Sequence, residues 1–140
     1  MSENDERVAR NAGIIDEFRS NGGAVAGFEG TPLLLLTTTG AKSGRARVSP
    51  VSYAVDGERY VVFAANGGRD HDPAWYRNLT ADPHVTIELP GGRPLAAVAR
   101  VAEGAEREAL WTAGVAELPM FEQFRTATAR QIPVVVLDPA

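Results

Sequence analysis

The 140-residue sequence contains no cysteine and only two histidines, His71 and His84. The absence of cysteine excludes disulfides, thiolate nucleophiles and cysteine-ligated zinc or iron–sulfur clusters. Two isolated histidines predict no metal site. His71 falls in a predicted loop and is a candidate proton donor, because an imidazole pKa of about 6.5 suits proton transfer, whereas His84 is expected at the surface.

Long hydrophobic runs are also missing, since the longest aliphatic run is residues 33–36. The first seven residues lack the basic and apolar regions of a signal peptide. We therefore expect a cytoplasmic protein without a transmembrane segment, although a predicted amphipathic first helix leaves peripheral membrane contact open. The length predicts a single domain over residues 1–140.

Lysine is scarce, and 14 basic against 18 acidic residues give a net charge of −4, which argues against a nucleic-acid partner. No acidic residue occurs between Gly30 and Val55, the segment that contains Lys42, Arg45 and Arg47. The sequence thus predicts a local cationic site on an anionic protein.

The hydrophobic patterns predict helices over residues 5–20, 73–81 and 103–118, a short helix around residues 121–124, and six strands, at residues 31–39, 48–55, 60–65, 84–89, 95–101 and 132–137. The pair Asp56-Gly57 is the predicted hairpin turn, and Asp72 is the predicted cap of a helix that begins at Pro73. Mostly antiparallel strands with few intervening helices favour a mainly β (α+β) barrel with covering helices over a βαβ sheet.

The turn at residues 40–47 combines glycines, Ser43 and three cations, the components of an anion-binding site. Its spacing differs from that of a Walker loop, and an ordinary solvated hairpin tip explains the same composition. The glycine-rich residues 66–68 lead toward a helix start, where N–H groups favour anions, or they form a simple turn. Because no nucleophile and base pair is evident, we expect any chemistry to come from a bound cofactor.

Two strings are specific, namely Thr-Thr-Thr-Gly-Ala-Lys-Ser-Gly at residues 37–44 and Pro-Ala-Trp-Tyr-Arg-Asn-Leu at residues 73–79. Together with Gly22-Gly23, Arg-Val-Ser-Pro at residues 47–50, Gly67-Gly68 and Ile-Pro-Val-Val-Val-Leu at residues 132–137, they resemble the deazaflavin (F420)-dependent nitroreductase and quinone reductase family. The resemblance covers nearly the whole chain. It implies a six-stranded split β-barrel related to the FMN-binding split barrels.

The resemblance also implies that F420 lies in a groove across the strands. The phosphate and the adjacent carboxylates are expected at Ala41, Lys42, Ser43 and Arg47, with help from Arg45 for the glutamate tail. The deazaflavin ring is expected against Val48, Ser49, Pro50, Val51 and Ser52, against Phe63, Ala64, Ala65 and Asn66, and under Ala74, Trp75, Tyr76, Arg77 and Asn78.

The implied reaction is hydride transfer from reduced F420 to a small-molecule acceptor, for which Ser52, Tyr53, Tyr76 and His71 are the candidate proton donors. Three alternatives remain open: FMN as the cofactor on the same barrel, and a non-catalytic carrier of either F420 or a lipid. Both a monomer and a homodimer are compatible with the sequence.

Two departures from the family pattern concern the acceptor. Family members often have Ser-Lys where this chain has Ala65-Asn66, and some have tyrosines where it has Leu118, Phe121 and Phe124. These three residues are the predicted acceptor contacts, and their apolar character favours a quinone over a nitro-aromatic compound.

Overall fold

The computed structural model describes residues 3–140, with the side chains of residues 3–8 outside the description, including Val8 of the predicted helix face. The elements in chain order are α1 (Glu3–Ser20), β1 (Leu33–Thr39), β2 (Ala46–Asp56), β3 (Arg59–Phe63), a 3-10 turn (Asn66–Gly68), α2 (Ala74–Ala81), β4 (His84–Glu88), β5 (Pro94–Val101), α3 (Gly104–Glu117), α4 (Met120–Ala127) and β6 (Val134–Pro139). Among these residues, none of the helices combines the length and apolar character needed to cross a bilayer.

The six strands close into a barrel in the order β1-β2-β3-β6-β5-β4, and every neighbouring pair is antiparallel. The predicted barrel is therefore confirmed. Its interior is filled by one apolar cluster to which all six strands contribute, for example Leu34, Val51 and Val62. Each buried side chain of this size contributes about 1.5–3 kcal/mol through the hydrophobic effect.

The outer face of the barrel carries two further apolar clusters, because successive strand residues point to opposite faces. Phe18 of α1 covers Leu33 and Leu35 of β1. Helices α3 and α4 cover the outward residues of β3 and β6 with Leu110, Trp111 and Phe121. The helices thus shield strand surfaces that would otherwise be exposed.

Strand β2 pairs with its two neighbours over different parts of its length. Residues 53–56 pair with β3, whereas residues 46–52 pair with β1 alone. Pro50 lies in this one-sided half, where a missing N–H is tolerated because an edge strand needs no second ladder. The barrel wall is therefore open beside residues 46–52.

Three local predictions are wrong. The hairpin turn is Gly57-Glu58, not Asp56-Gly57, because Asp56 still pairs with Arg59 across the strands. Asp72 does not cap α2: Pro73 precedes the helix in extended conformation without a side-chain cap, and the Asp72 carboxylate instead forms an ion pair with Arg130 at 2.8 Å. Ala12, expected on the buried face of α1, is exposed.

Candidate functional site

A cavity of about 1350 Å³ lies beside the open half of β2, on the outer side of the barrel. Its walls come from α1, the turn between β1 and β2, strand β2, the loop after β3, the start of α2, and α4. The lining residues are Asn11, Ala12, Ile15, Gly27, Phe28, Thr31, Gly40, Ala41, Lys42, Ser43, Ala46, Arg47, Val48, Ser49, Pro50, Val51, Ser52, Phe63, Ala65, Asn66, Gly67, Arg69, Pro73, Ala74, Trp75, Arg77, Asn78, Met120, Phe121 and Phe124.

The charge of this cavity is opposite to that of the protein. Among the described residues that line it, none is acidic and four are cationic, namely Lys42, Arg47, Arg69 and Arg77. A concave surface lined by one sign of charge focuses its field and attracts the opposite charge. An anionic ligand is therefore favoured here, although the net charge of the chain is −4.

The basic loop, residues 40–47, is a compact turn closed by its own backbone. Gly40 N–H donates to the Arg45 carbonyl at 2.7 Å, and Gly44 N–H donates to the Gly40 carbonyl at 2.9 Å. Gly44 has a φ of +69°, which favours glycine. In the described part of the chain the N–H groups of Lys42 and Ser43 have no partner, so the turn presents free donors beside its cations.

Asn78 lines the cavity and also fixes the basic loop. Its Oδ1 accepts the Ala41 N–H at 3.0 Å, and its Nδ2 donates to Thr38 Oγ1 at 3.1 Å. Asn78 and Thr38 are both buried. The amide therefore connects the basic loop to β1, and the Ala41 N–H is already occupied by this contact.

Most residues expected at the cofactor line the cavity, but the structure separates the four candidate proton donors. Ser52 lines it, whereas Tyr53 and Tyr76 pack against the cluster inside the barrel. Burial raises the pKa of both phenols above 10, with a smaller contribution from Tyr60 for Tyr53 and from Asp72 for Tyr76.

Several expected contacts lie outside the cavity. Ala64 is fully buried, Arg45 is exposed, and His71 is exposed in the loop before α2, where its carbonyl accepts a hydrogen bond from Asn66 Nδ2 at 3.0 Å. Leu118 is buried in the cluster under α3 and α4. Phe121 and Phe124 do line the cavity.

One wall was missed by the sequence analysis. Asn11, Ala12 and Ile15 of α1 and Phe28 of the following loop face the same cavity as Met120 of α4. The signal was present in the apolar spacing of the first helix, from which only an amphipathic helix was predicted, with peripheral membrane contact left open. Local spacing does not show that a helix extends past the barrel wall it covers.

The site can hold a molecule with an anionic end and a flat, largely apolar body. The basic loop offers charge-assisted hydrogen bonds to phosphate or carboxylate oxygens, and the open half of β2 offers a flat strand surface. Among the described residues there is no group of three or more His, Asp or Glu that could hold a metal ion. Fold and site together define a cofactor-binding split β-barrel.

Comparison with known proteins identifies the family. Residues 13–139 match the model of the F420H(2)-dependent quinone reductases, and the chain belongs to this family. It is an F420-dependent oxidoreductase of the quinone reductase type. The quinone reductase part of the predicted resemblance is confirmed.

Relatives and solved structures agree with this assignment. An F420H(2)-dependent quinone reductase of Mycobacterium tuberculosis is 36% identical over 109 residues, which are 76% of this chain and 72% of the relative. A second relative from that organism is 38% identical over 116 residues, covering 81% of this chain and 96% of the relative. The structure of an F420-H2-dependent reductase superposes with a TM-score of 0.70 at 37% identity, covering 76% of this chain and 94% of that chain.

Proposed function

We propose that the protein transfers a hydride from F420H2 to a small apolar quinone that binds in the same cavity. The observation that carries the proposal is one continuous cavity that combines four cations, two of them in the basic loop, with apolar side chains of α1 and α4. Bound F420H2 supplies a two-electron hydride donor. The protein supplies the position of both reactants, which is the main contribution of a protein to such chemistry.

The basic loop would hold the anionic part of the cofactor. Lys42 and Arg47 provide the cations, and the N–H groups of Lys42 and Ser43 provide backbone donors. Asn78 keeps the loop against β1, so these donors are ordered before the ligand binds. Such preorganisation reduces the entropy lost on binding.

The ring would lie along the open half of β2. Val48 and Ser52 share one face of the strand, because residues two and four apart point the same way. The Ser52 hydroxyl is the donor we assign to the proton that follows the hydride, since the two tyrosines are directed into the barrel.

The acceptor would lie against Met120, Phe121 and Phe124 of α4. Ala65, in the neighbouring loop, adds neither a hydroxyl nor a charge to this wall. An apolar quinone fits such a surface better than a nitro-aromatic compound, whose nitro group would lose hydrogen bonds to water on entry. Nitro-aromatic acceptors therefore form the second group to be tested.

The first experiment titrates the protein with F420 and with FMN and follows cofactor fluorescence. We expect F420 binding, followed by quinone-dependent loss of F420H2 absorbance. Tight FMN binding without an F420 response would overturn the cofactor assignment. F420 binding without turnover on any quinone or nitro compound would instead favour a carrier.

Three further expectations stay predictions: the single-domain organisation over residues 1–140, the cytoplasmic location, and the choice between monomer and homodimer. A solved structure described as a domain-swapped dimer superposes with a TM-score of 0.72 at 31% identity, covering 98% of this chain and all of that chain. We therefore favour the homodimer, to be tested by light scattering.

A further inference from the structure

Arg130 lies in the segment between α4 and β6, and its guanidinium is the centre of a network of hydrogen bonds. Nε donates to the Arg69 carbonyl at 3.0 Å and Nη1 to Asp72 Oδ1 at 2.8 Å. Nη2 donates to the carbonyls of Ala64 and Ala65 at 3.0 and 2.9 Å. The side chain is only 16% exposed. One residue thus holds both ends of the loop that joins β3 to α2.

This loop has a backbone that needs such support. Asn66, Gly67 and Gly68 follow one another with φ values of +50°, +65° and +84°. For a residue other than glycine, the left-handed region costs about 1–2 kcal/mol. Arg130 compensates through hydrogen bonds from a charged donor, which are stronger than those between neutral groups.

The supported loop is also a wall of the cavity. Ala65, Asn66, Gly67 and Arg69 line it on one side, and Phe121 and Phe124 line it from α4. The two walls touch at Gly68, where an added Cβ would lie 3.0 Å from the Cβ of Ala127.

We propose that Arg130 is a positioning residue that sets the spacing between the β3–α2 loop and α4, and thereby the shape of the acceptor part of the cavity. The inference rests on the proposed function for its catalytic consequence, but the network itself does not. Arg130 does not line the cavity, so its effect is transmitted through the loop.

Lysine cannot replace this arginine. The guanidinium directs three nitrogens along fixed directions to a carboxylate and three carbonyls, whereas an ammonium group is a single point that cannot reach all four acceptors. Arg130→Lys therefore keeps the positive charge but cannot form all four hydrogen bonds. Asp72→Asn keeps the shape of the partner and removes its charge.

The test combines hydrogen exchange with kinetics. In Arg130→Lys we expect the backbone amides of residues 66–71 to exchange about tenfold faster than in the wild type. We expect a smaller increase in Asp72→Asn, and no change in the amides of the barrel strands in either variant. Arg125→Ala is the matched control, because this exposed arginine forms its ion pair with Glu122 of the same helix α4. Unchanged exchange in both network variants would refute the proposal.

The kinetic readout separates positioning from general stability. We expect kcat/KM for the quinone to fall about tenfold or more in Arg130→Lys, because small displacements of a reactant are costly. The Kd for F420 should change less than about threefold, since the basic loop keeps its own support in Asn78. An equal loss of both would indicate unfolding and contradict the proposal.

The two proposals fail in different ways. Faster loop exchange in Arg130→Lys, combined with a wild-type protein that neither binds F420 nor oxidises F420H2, would support the network and overturn the proposed function. Wild-type turnover together with variants that exchange and react like the wild type would support the proposed function and overturn the role of Arg130.

Discussion

Asn78 and Ala41 are joined by a hydrogen bond of 3.0 Å from the Ala41 N–H to Asn78 Oδ1, which links helix α2 to the basic loop across 37 residues of sequence. The Nδ2 atom of the same amide donates a hydrogen bond to Thr38 Oγ1. Both ends of the Asn78 amide thus make a hydrogen bond within the protein, and the residue acts on the site through the loop it holds.

Asn78→Ala should destabilise the protein by about 1–3 kcal/mol, because it leaves the Ala41 N–H and the Thr38 hydroxyl without a buried partner. It should also weaken F420 binding, because the basic loop is then no longer held against β1. Urea unfolding and fluorescence titration measure the two effects. Thr38→Val is the control that removes one bond while leaving Ala41 held, and F420 affinity should suffer less; equal losses would contradict the role assigned to Asn78.

Lys42→Ala and Arg47→Ala should each weaken F420 binding about tenfold to a hundredfold, since a hydrogen bond to a charged group contributes about 1.5–3 kcal/mol. Raising the salt concentration should reduce the difference in F420 affinity between each variant and the wild type, because salt screens the interaction of the cations with the ligand. Arg93→Ala removes the same charge from an exposed turn outside the cavity and should leave affinity unchanged. Wild-type affinity in both loop variants would exclude the basic loop as the anion site.

Ser52→Ala should lower turnover about tenfold or more, as expected for the loss of a positioned proton donor, with little change in F420 affinity. Tyr53→Phe and Tyr76→Phe should keep turnover within about twofold, because both rings pack against the barrel interior and do not line the cavity. Steady-state kinetics with one quinone compares the three variants. A larger loss of turnover in either tyrosine variant than in Ser52→Ala would show that Ser52 is not the proton donor.

Gly114→Ala should destabilise the protein by about 1–3 kcal/mol, because the new methyl group would overlap the ring of Phe63. Phe63 also contacts Trp111 and Phe121, with ring centroids 5.5 and 4.9 Å away, so it has little room to move except toward the cavity. Gly13→Ala is the helical control: nothing lies within 4 Å of its added Cβ, and a stabilisation of about 0.5–1 kcal/mol is expected. Urea unfolding measures the change in stability of both variants relative to the wild type, and a stable Gly114→Ala variant would contradict the expected overlap with Phe63.

Glu106→Gln should make the stability of the protein less dependent on pH in the acid range. Hydrogen bonds from Arg100 at 2.6 and 2.9 Å hold the pKa of Glu106 below its ordinary value of 4.5, with a further contribution from Arg59. The folded protein therefore gains stability from this carboxylate above pH 4.5 and loses it as the pH falls through the lowered pKa.

The Tm difference between wild type and Glu106→Gln should accordingly be larger at pH 7 than at pH 3. Glu117→Gln, at an exposed glutamate at the end of the same helix α3, serves as the control and should show no such trend. A Tm difference that stays constant from pH 7 to pH 3 would rule out the ion pair as its source.

Much of this protein follows from its sequence alone. Apolar and β-branched runs bounded by turn residues predict the six strands, and the glycines, Ser43 and cations of residues 40–47 predict an anion-binding loop. These properties are local, because a strand period or a turn composition depends on neighbouring residues.

Only the tertiary structure decided which side chains meet. Tyr53 and Ser52 are adjacent in sequence yet lie inside and outside the barrel, and the register of β2 determines which is which. Arg130 and Ala65 are 65 residues apart in the sequence and meet only in the folded chain. Helix α1 lines the cavity beside the half of β2 that pairs on one side only. Such contacts depend on barrel closure, a property of all six strands together that no short segment encodes.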